Sequence, residues 1–532
     1  MASASPDKKA EEGASTPPDL HGGKALAEVE TYGRNSIAGD ERLQQFGYTP
    51  ELKRNLSLIT VLGLSFSIIA APFGLSTSAL FALGNGGTAT YFWGWLFLSV
   101  ITLAMAASLG ELCSAFPTSG GVYHWSAYTS PKKYRKVISF CTGWVSMVAN
   151  ITLALSIIFG EAQLILAAIS LFRDNDWVPE AWQTILMFWL VMVFSLLVNV
   201  WGVKGNYLEL LNTASIYWSS ASVIIILVVL LAMSGGARRS PYDALILWQN
   251  ASGWTDGWSF FVGCLTPAYV LTGYGTIAFL CEEVTDPERS VPRAMVGSVL
   301  AASLTGFLYI IPVIITLPLE LDDILAAASG PLPALFQTVT GSNGGGFGLL
   351  FLIIVIGLFA SVGALTVCLR GIWAFSRDGG MPFSSVWAKV HKGLDLPLNA
   401  TLLSSVVIAL LGLIYLGSTA AFSAFTGAAT ICLGISYALP IGLSLFQRRA
   451  PVANAPWSFG TLVGYVVNSI TVAWIAFSVV LFSFPTAKTT DPASINYASV
   501  VFVGFFAFAA FYYVVWGRKS FRGPLETTTE GL

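Results

Sequence analysis

Charge is scarce in this chain of 532 residues: 11% of positions are Asp, Glu, Lys or Arg, against 55% hydrophobic. Soluble domains carry about a quarter charged residues, so a water-soluble globule is excluded. Histidine is scarcer still. His21, His124 and His391 are scattered over a tail and two loops, leaving no constellation for a metal site or a His-activated nucleophile. All six cysteines (113, 141, 264, 281, 368 and 432) lie in or beside apolar runs. That argues against a disulfide framework and for ordinary buried thiols. A phosphate loop is missing too, because Gly344-Gly345-Gly346 lacks the Lys-Ser/Thr that would follow; it reads as an external hinge before an apolar run. The net charge of −2 gives no reason to expect nucleic acid. With no catalytic set, neither enzyme nor cofactor is expected.

What the chain has is hydrocarbon, with a mean hydropathy of +0.70. A membrane-crossing helix needs roughly 20 apolar residues. Twelve such stretches fall near 57–83, 89–112, 137–169, 184–201, 211–233, 258–280, 294–316, 346–373, 398–417, 421–446, 462–483 and 496–516. The expected fold is an all-α membrane protein. Its parts are a disordered tail over 1–50, a transmembrane domain over 51–516 and a second tail over 517–532. The connections are too short for a second folded domain.

Basic residues alternate between the loops. Lys132, Lys133, Arg135, Lys136, Lys204, Arg289, Arg293, Arg377, Lys389, Lys392, Arg448 and Arg449 fall on one side; Arg173, Arg238, Arg239 and Lys488 fall on the other. The richer side is expected in the cytoplasm. An even number of spans places both tails there, adding Lys53, Arg54, Arg518, Lys519 and Arg522. Residues 1–55 are polar, so no cleavable signal is expected and the first span targets the chain. Asn250-Ala251-Ser252 is a glycosylation sequon in a loop expected outside.

Two spans are interrupted. The first breaks at Ile69-Ala70-Ala71-Pro72-Phe73-Gly74; the sixth breaks at Thr266-Pro267 and again at Leu271-Thr272-Gly273-Tyr274-Gly275. Hydrocarbon offers free backbone groups no partners, so such breaks face protein or a wet cavity. Matching breaks in two halves of a chain mark the binding site of a secondary transporter. Exposed N–H groups at a half-helix start suit a carboxylate, while freed carbonyls, with Tyr269 and Tyr274, suit an amine. A proline kink and ordinary core aromatics are the plainer readings of the same residues.

The most specific stretch is GELCSAFPTSGGVYHW, Gly110 to Trp125. Glu111 sits at the end of a helix that Pro117 cannot continue. Tyr123, His124 and Trp125 then read as an interfacial aromatic cluster. This string resembles the signature of the fungal amino acid/choline transporter family, which includes γ-aminobutyrate and choline permeases, within the amino acid–polyamine–organocation superfamily. GYTPELKRNLSL (Gly47–Leu58), EEVTDPERSVPRAM (Glu282–Met295) and WAFSRDGGMPFS (Trp373–Ser384) extend the resemblance in the same order.

The resemblance implies two inverted five-helix repeats, about 57–233 and 258–446, with accessory helices over 462–516. It implies a solute held by Ile69, Ala70, Ala71, Pro72 and Gly74 against Tyr269, Leu271, Gly273 and Tyr274. Gly275 departs from relatives that place an acid nearby, which disfavours a strongly dibasic solute. The solute is thus a small amine or amino acid, imported across the plasma membrane by alternating access, with choline or another quaternary amine as the alternative. A nutrient sensor without transport fits less well, since neither tail reads as a folded domain.

For coupling, residues 205–237 contain no Lys or Arg, so a lysine in span 5 cannot serve. Sodium between span 1 carbonyls and Ser361 and Thr366 is one option, although such hydroxyls commonly bond their own helix. A proton on Glu111 or Glu161 is the favoured one. Glu161 lies roughly 36 Å along its span, consistent with snorkelling to external water or with a vestibule carboxylate. Glu282, Glu283, Asp286, Glu288, Arg289 and Arg293 read as a solvated loop bearing gate-closing salt bridges, and Arg370 as an interfacial anchor.

Overall fold

The computed structural model describes residues 39–524 except 53, 174–176, 203–206, 237, 392, 395, 418–420 and 489–496. Lys204 and Lys392 of the basic loops and Lys53 beside the first span therefore lie outside the described residues, as does most of the N-terminal tail.

Among the described residues twelve helices are long and apolar enough to cross a membrane. They are span 1 Leu58–Leu83, span 2 Gly87–Ala115, span 3 Arg135–Ser170, span 4 Ala181–Gly202, span 5 Tyr207–Met233 and span 6 Asp256–Leu280. Span 7 Pro287–Thr316, span 8 Asn343–Arg377, span 9 Leu398–Leu416, span 10 Ala421–Phe446, span 11 Thr461–Leu481 and span 12 Ala498–Ser520 complete the set. All twelve expected stretches are helices. Several start a few residues early, and two of those starts have clear local causes. Span 7 begins seven residues before its apolar part, with Pro287 in the first turn, where a missing N–H costs nothing. Span 8 begins ahead of its glycines because Ser342 caps it, its Oγ accepting from Gly345 N at 3.0 Å. The triple glycine is therefore helix, not hinge; the turn lies at left-handed Gly341, φ 63°.

Span 2 packs chiefly on span 7, and span 3 on spans 8 and 10. Spans 1, 3, 6 and 8 are the most buried, and they enclose both breaks. On the face away from the basic loops, Asn85–Gly86 pairs antiparallel with Gln249–Asn250. Asn250 is bound there: its Nδ2 donates to Trp254 O at 2.7 Å and Asp256 Oδ1 at 3.2 Å. The nitrogen that would carry a glycan is thus already engaged.

The N-terminal segment departs from the disorder expected through residue 50. Residues 39–45 are helical, and Leu43, Phe46 and Tyr48 form a small buried cluster against Phe116 and Tyr128. No apolar periodicity is visible there because two of the three anchors, Phe46 and Tyr48, lie beyond the short helix.

Candidate functional site

Span 1 is broken at one residue. Ala70 takes φ 42°, ψ 53° between half-helices Leu58–Ile69 and Ala71–Leu83. A left-handed alanine stores about 1–3 kcal/mol of strain, which the surrounding packing must hold. Pro72 follows in the first turn of the second half, where its ring is tolerated. Gly74 is helical, contrary to the reading that it frees the backbone. Its role is proximity: a β-carbon there would lie 2.8 Å from Val270 Cγ2.

Span 6 runs Asp256–Gly263, then Leu265–Val270, then as a 3₁₀ helix Tyr274–Leu280. Thr266-Pro267 is not an open segment. The interruption is the single residue Cys264, upstream of a proline that has no N–H to return to Gly263. The true break is Leu271–Gly273, with Gly273 at φ 89°. A β-carbon on Gly273 would lie 2.7 Å from Ile68 Cγ2.

The two breaks therefore touch. Ile68, Phe73, Gly74, Tyr269, Val270 and Thr272 leave a space of about 10 Å³ between them, room for one water at most. Tyr269 donates to Ser156 Oγ of span 3 at 3.1 Å, and Ser156 donates on to Leu153 O at 2.9 Å. Tyr274 is buried with its hydroxyl unpartnered among the described residues; its ring lies 5.6 Å from that of Tyr437 in span 10. The backbone of Ile69, Ala70, Ala71 and Leu271 lines the same junction, and all four residues are buried.

The two sides of this junction differ. Toward the face away from the basic loops a cavity of about 350 Å³ opens between the ends of spans 1, 3 and 10, lined by Ser76, Thr77, Gly160, Gln163 and Phe422. Toward the basic face the path is closed by paired charges. Arg377 grips Glu282 with both terminal nitrogens, at 2.8 and 2.9 Å, and its guanidinium lies 4.2 Å from the Tyr48 ring and 4.7 Å from the Trp373 ring. Arg370 holds Glu283 in the same forked manner, with Nη2 to Oε2 at 2.9 Å. Arg54 binds the carbonyls of Cys281 at 3.0 Å and Val284 at 2.7 Å. Asp378 accepts from Tyr48 at 3.0 Å and from Tyr123 at 2.9 Å.

Salt bridges at this loop match the sequence reading, but solvation does not: Glu282 is 2% exposed and Arg370 5%. Arg370 is half of a buried pair, not an interfacial anchor. Tyr123, His124 and Trp125 are fully buried as well, because helix Gly121–Tyr128 packs under the N-terminal segment rather than at a lipid boundary. Burial foremost, with Arg377 adding to it, holds the His124 imidazole down at about 3. Burial raises Asp378 to about 6, with Arg377 and the two tyrosine hydroxyls partly opposing. Burial also works against the Glu282 carboxylate, yet Arg377 and Ser119 hold it below the ordinary carboxylate range.

The four coupling candidates are placed differently. Glu111 is engaged, accepting from Arg449 Nη2 at 2.8 Å, Ser458 Oγ at 3.1 Å and Phe459 N at 2.7 Å. Ser361 Oγ donates to Gly357 O at 2.9 Å; Thr366 Oγ1 lies 2.8 Å from Val362 O and 2.7 Å from Asn199 Oδ1. Both hydroxyls thus bond within span 8, with Thr366 also reaching Asn199 of span 4. Glu161 is wholly buried, and neither carboxyl oxygen has a partner among the described residues. It does not snorkel. It sits against Phe73 and Gly357, where any β-carbon at 357 would collide with it.

Ser156, Gly357, Tyr48 and Asp378 were not singled out from the sequence. Tyr48 and Asp378 fall inside motifs already quoted, and Phe73 inside the first break, so for these a signal existed. Ser156 and Gly357 are ordinary helix residues whose placement matters only where spans cross.

A family model described as amino acid permease matches residues 56–506. A choline transporter of Saccharomyces cerevisiae is 30% identical over 90% of this chain and 84% of its own length. A polyamine transporter of the same yeast is 33% identical over 91% of this chain and 79% of its own. An amino-acid permease of Arabidopsis thaliana is 31% identical over 92% of this chain and 96% of its own.

Proposed function

This chain belongs to the amino acid permease family, and from that premise we propose that it imports an amino acid or a related small monoamine across the plasma membrane by alternating access, driven by protons. It is a multi-pass membrane protein, and its basic face is assigned to the cytoplasm by the positive-inside rule.

The observation that carries the reading is the contact between the two breaks, Gly74 on Val270 and Ile68 on Gly273. Opening either hinge displaces the other. A solute entering from the outer cavity meets the free N–H groups of the half-helix after Ala70, which favour a carboxylate. An ammonium group meets the carbonyls freed at Leu271 and Thr272 and the ring of Tyr269; the Gly273 carbonyl is already taken by Thr276. Release to the cytoplasm requires the Arg377–Glu282 and Arg370–Glu283 pairs to part.

Glu161 supports proton coupling. An unpaired ionised carboxylate so deeply buried costs several kcal/mol, and a bound proton removes that cost. Its neighbour Gly160 lines the outer cavity, so a small shift of Phe73 or Phe422 opens a route to external water. Glu111 is less suited because Arg449 already stands against its carboxylate.

The second reading is choline or another quaternary amine. Tyr269 and Tyr274 favour it, and one relative is named a choline transporter. The test is uptake into proteoliposomes under an imposed pH gradient without sodium, with competition by γ-aminobutyrate, choline, neutral and basic amino acids, thiamine and spermidine. Uptake that follows the pH gradient and is competed best by a monoamine or zwitterion is expected. Sodium-dependent uptake indifferent to a protonophore overturns the coupling. Spermidine or arginine outcompeting every monoamine overturns the solute class.

A further inference from the structure

Cys113 and Cys281 lie with their Sγ atoms 3.7 Å apart, both fully buried, although 168 positions separate them in the chain. All six cysteines are free thiols. An S–S bond is about 2.05 Å long, so the pair is reduced and within a small shift of bonding.

Their places in the fold are unequal. Cys113 belongs to span 2, an unbroken rod from Gly87 to Ala115. Cys281 ends the 3₁₀ segment that hangs from left-handed Gly273, and it immediately precedes Glu282 and Glu283. Arg54 holds its carbonyl. The two sulfurs thus face one another across the boundary between a fixed helix and the hinged strip of the gate.

We propose that Cys113 and Cys281 form a dithiol latch, a modification site that a peroxide or a trivalent arsenical closes, arresting the carrier with its cytoplasmic gate shut. With hydrogen peroxide, one thiol, reacting as its thiolate, takes an oxygen to give a sulfenic acid, and the hydroxide released takes up the thiol's proton as water. The second thiol displaces that oxygen as a second water and forms the S–S bond, so the two sulfurs give up two electrons and the peroxide is reduced. With phenylarsine oxide no electrons move. The As–O bond is replaced by two As–S bonds, and the two thiol protons leave with the oxygen as one water. Cytosolic reductants keep the pair open in the resting cell. Because both sulfurs are covered when the gate is closed, reagent reaches them only as Arg54 and the strip beneath it loosen.

The arrest, though not the bridge, rests on the alternating-access reading. The test therefore reads the two separately. The full chain, with Cys141, Cys264, Cys368 and Cys432 changed to Ala and Gln163→Cys placed in the outer cavity, is reconstituted in liposomes and treated with phenylarsine oxide. Intact mass reports the bridge; labelling of Gln163→Cys by an impermeant maleimide reports which face is open. The expected result is one arsenic per chain, removed by 2,3-dimercaptopropanol and reduced at least tenfold in Cys113→Ser and Cys281→Ser. Bridged protein labels severalfold faster at 163. Ala versions of both variants, checked for thermal stability, guard against misfolding. No adduct in the parent, an adduct that survives loss of either cysteine, or a bridge that leaves labelling unchanged overturns the latch. Failure of the substrate panel, which contains no arsenical, bears only on the carrier reading.

Discussion

Gly273 of span 6 faces Ile68 of span 1 so closely that a β-carbon on the glycine would lie 2.7 Å from Ile68 Cγ2. The glycine also holds φ 89°, a region closed to most side chains. Two requirements thus fall on one position, and Gly74, where a β-carbon would lie 2.8 Å from Val270 Cγ2, repeats the steric one. The hinges of the two halves are fitted to each other.

Substituting either glycine separates the hinges. Gly74→Leu and Gly273→Leu are expected to abolish uptake while leaving surface expression intact, and Gly74→Ala to reduce it severalfold. Transport with unchanged apparent affinity in both Leu variants would place the solute elsewhere.

Glu161→Gln removes the proton-binding group and keeps the shape. Uptake driven by a pH gradient is expected to fall at least tenfold, while exchange of labelled for unlabelled solute across the membrane persists. Gly357→Ala, which pushes a methyl group into the Glu161 carboxylate and toward Phe73, should mimic that loss. Full pH-driven accumulation by Glu161→Gln would remove this residue from the coupling path.

Glu283→Gln leaves Arg370 buried without its carboxylate. Breaking such a pair costs about 3–5 kcal/mol, so the thermal midpoint should drop clearly. Replacing both, as Glu283→Gln with Arg370→Met, should recover part of the loss. A double variant no more stable than the single one would mean that the pair does not act as a unit.

Acid should distinguish His124 from Asp378. The imidazole is lowered from 6.5 to about 3 in the fold, so its contribution is present above 6.5 and is lost as pH falls toward 3. The carboxyl is raised from 3.8 to about 6, so folded protein takes up its proton first and gains stability as pH falls from about 6 to 4. The two nearly cancel in that window. Asp378→Asn removes the gain and exposes the loss, about 1.4 kcal/mol per pH unit. Thermal midpoints of the purified protein between pH 6.5 and 5 should therefore fall more steeply in Asp378→Asn than in the parent. Equal slopes would show that these two groups do not set the acid response.

Sequence by itself determined the twelve helices, because hydrocarbon tolerates no unpaired backbone and each span must close its own hydrogen bonds. It also marked the breaks, through Pro72 and Gly273. It did not decide where along those segments the helix would open. Ala70 carries the left-handed turn of span 1, although alanine favours helix, because packing between spans overrides local propensity. Nor could sequence tell that Glu161 would be sealed rather than bathed in water. Distance along a helix gives depth, but burial is set by what stands opposite, here Phe73 from one span and Gly357 from another. The gate shows the same division. Glu282, Glu283 and Arg377 were legible as charges near a membrane boundary. Only the tertiary fold brings the forked Arg377–Glu282 pair under Tyr48, and Cys281 against Cys113, since each contact joins residues from spans that are not consecutive in the chain.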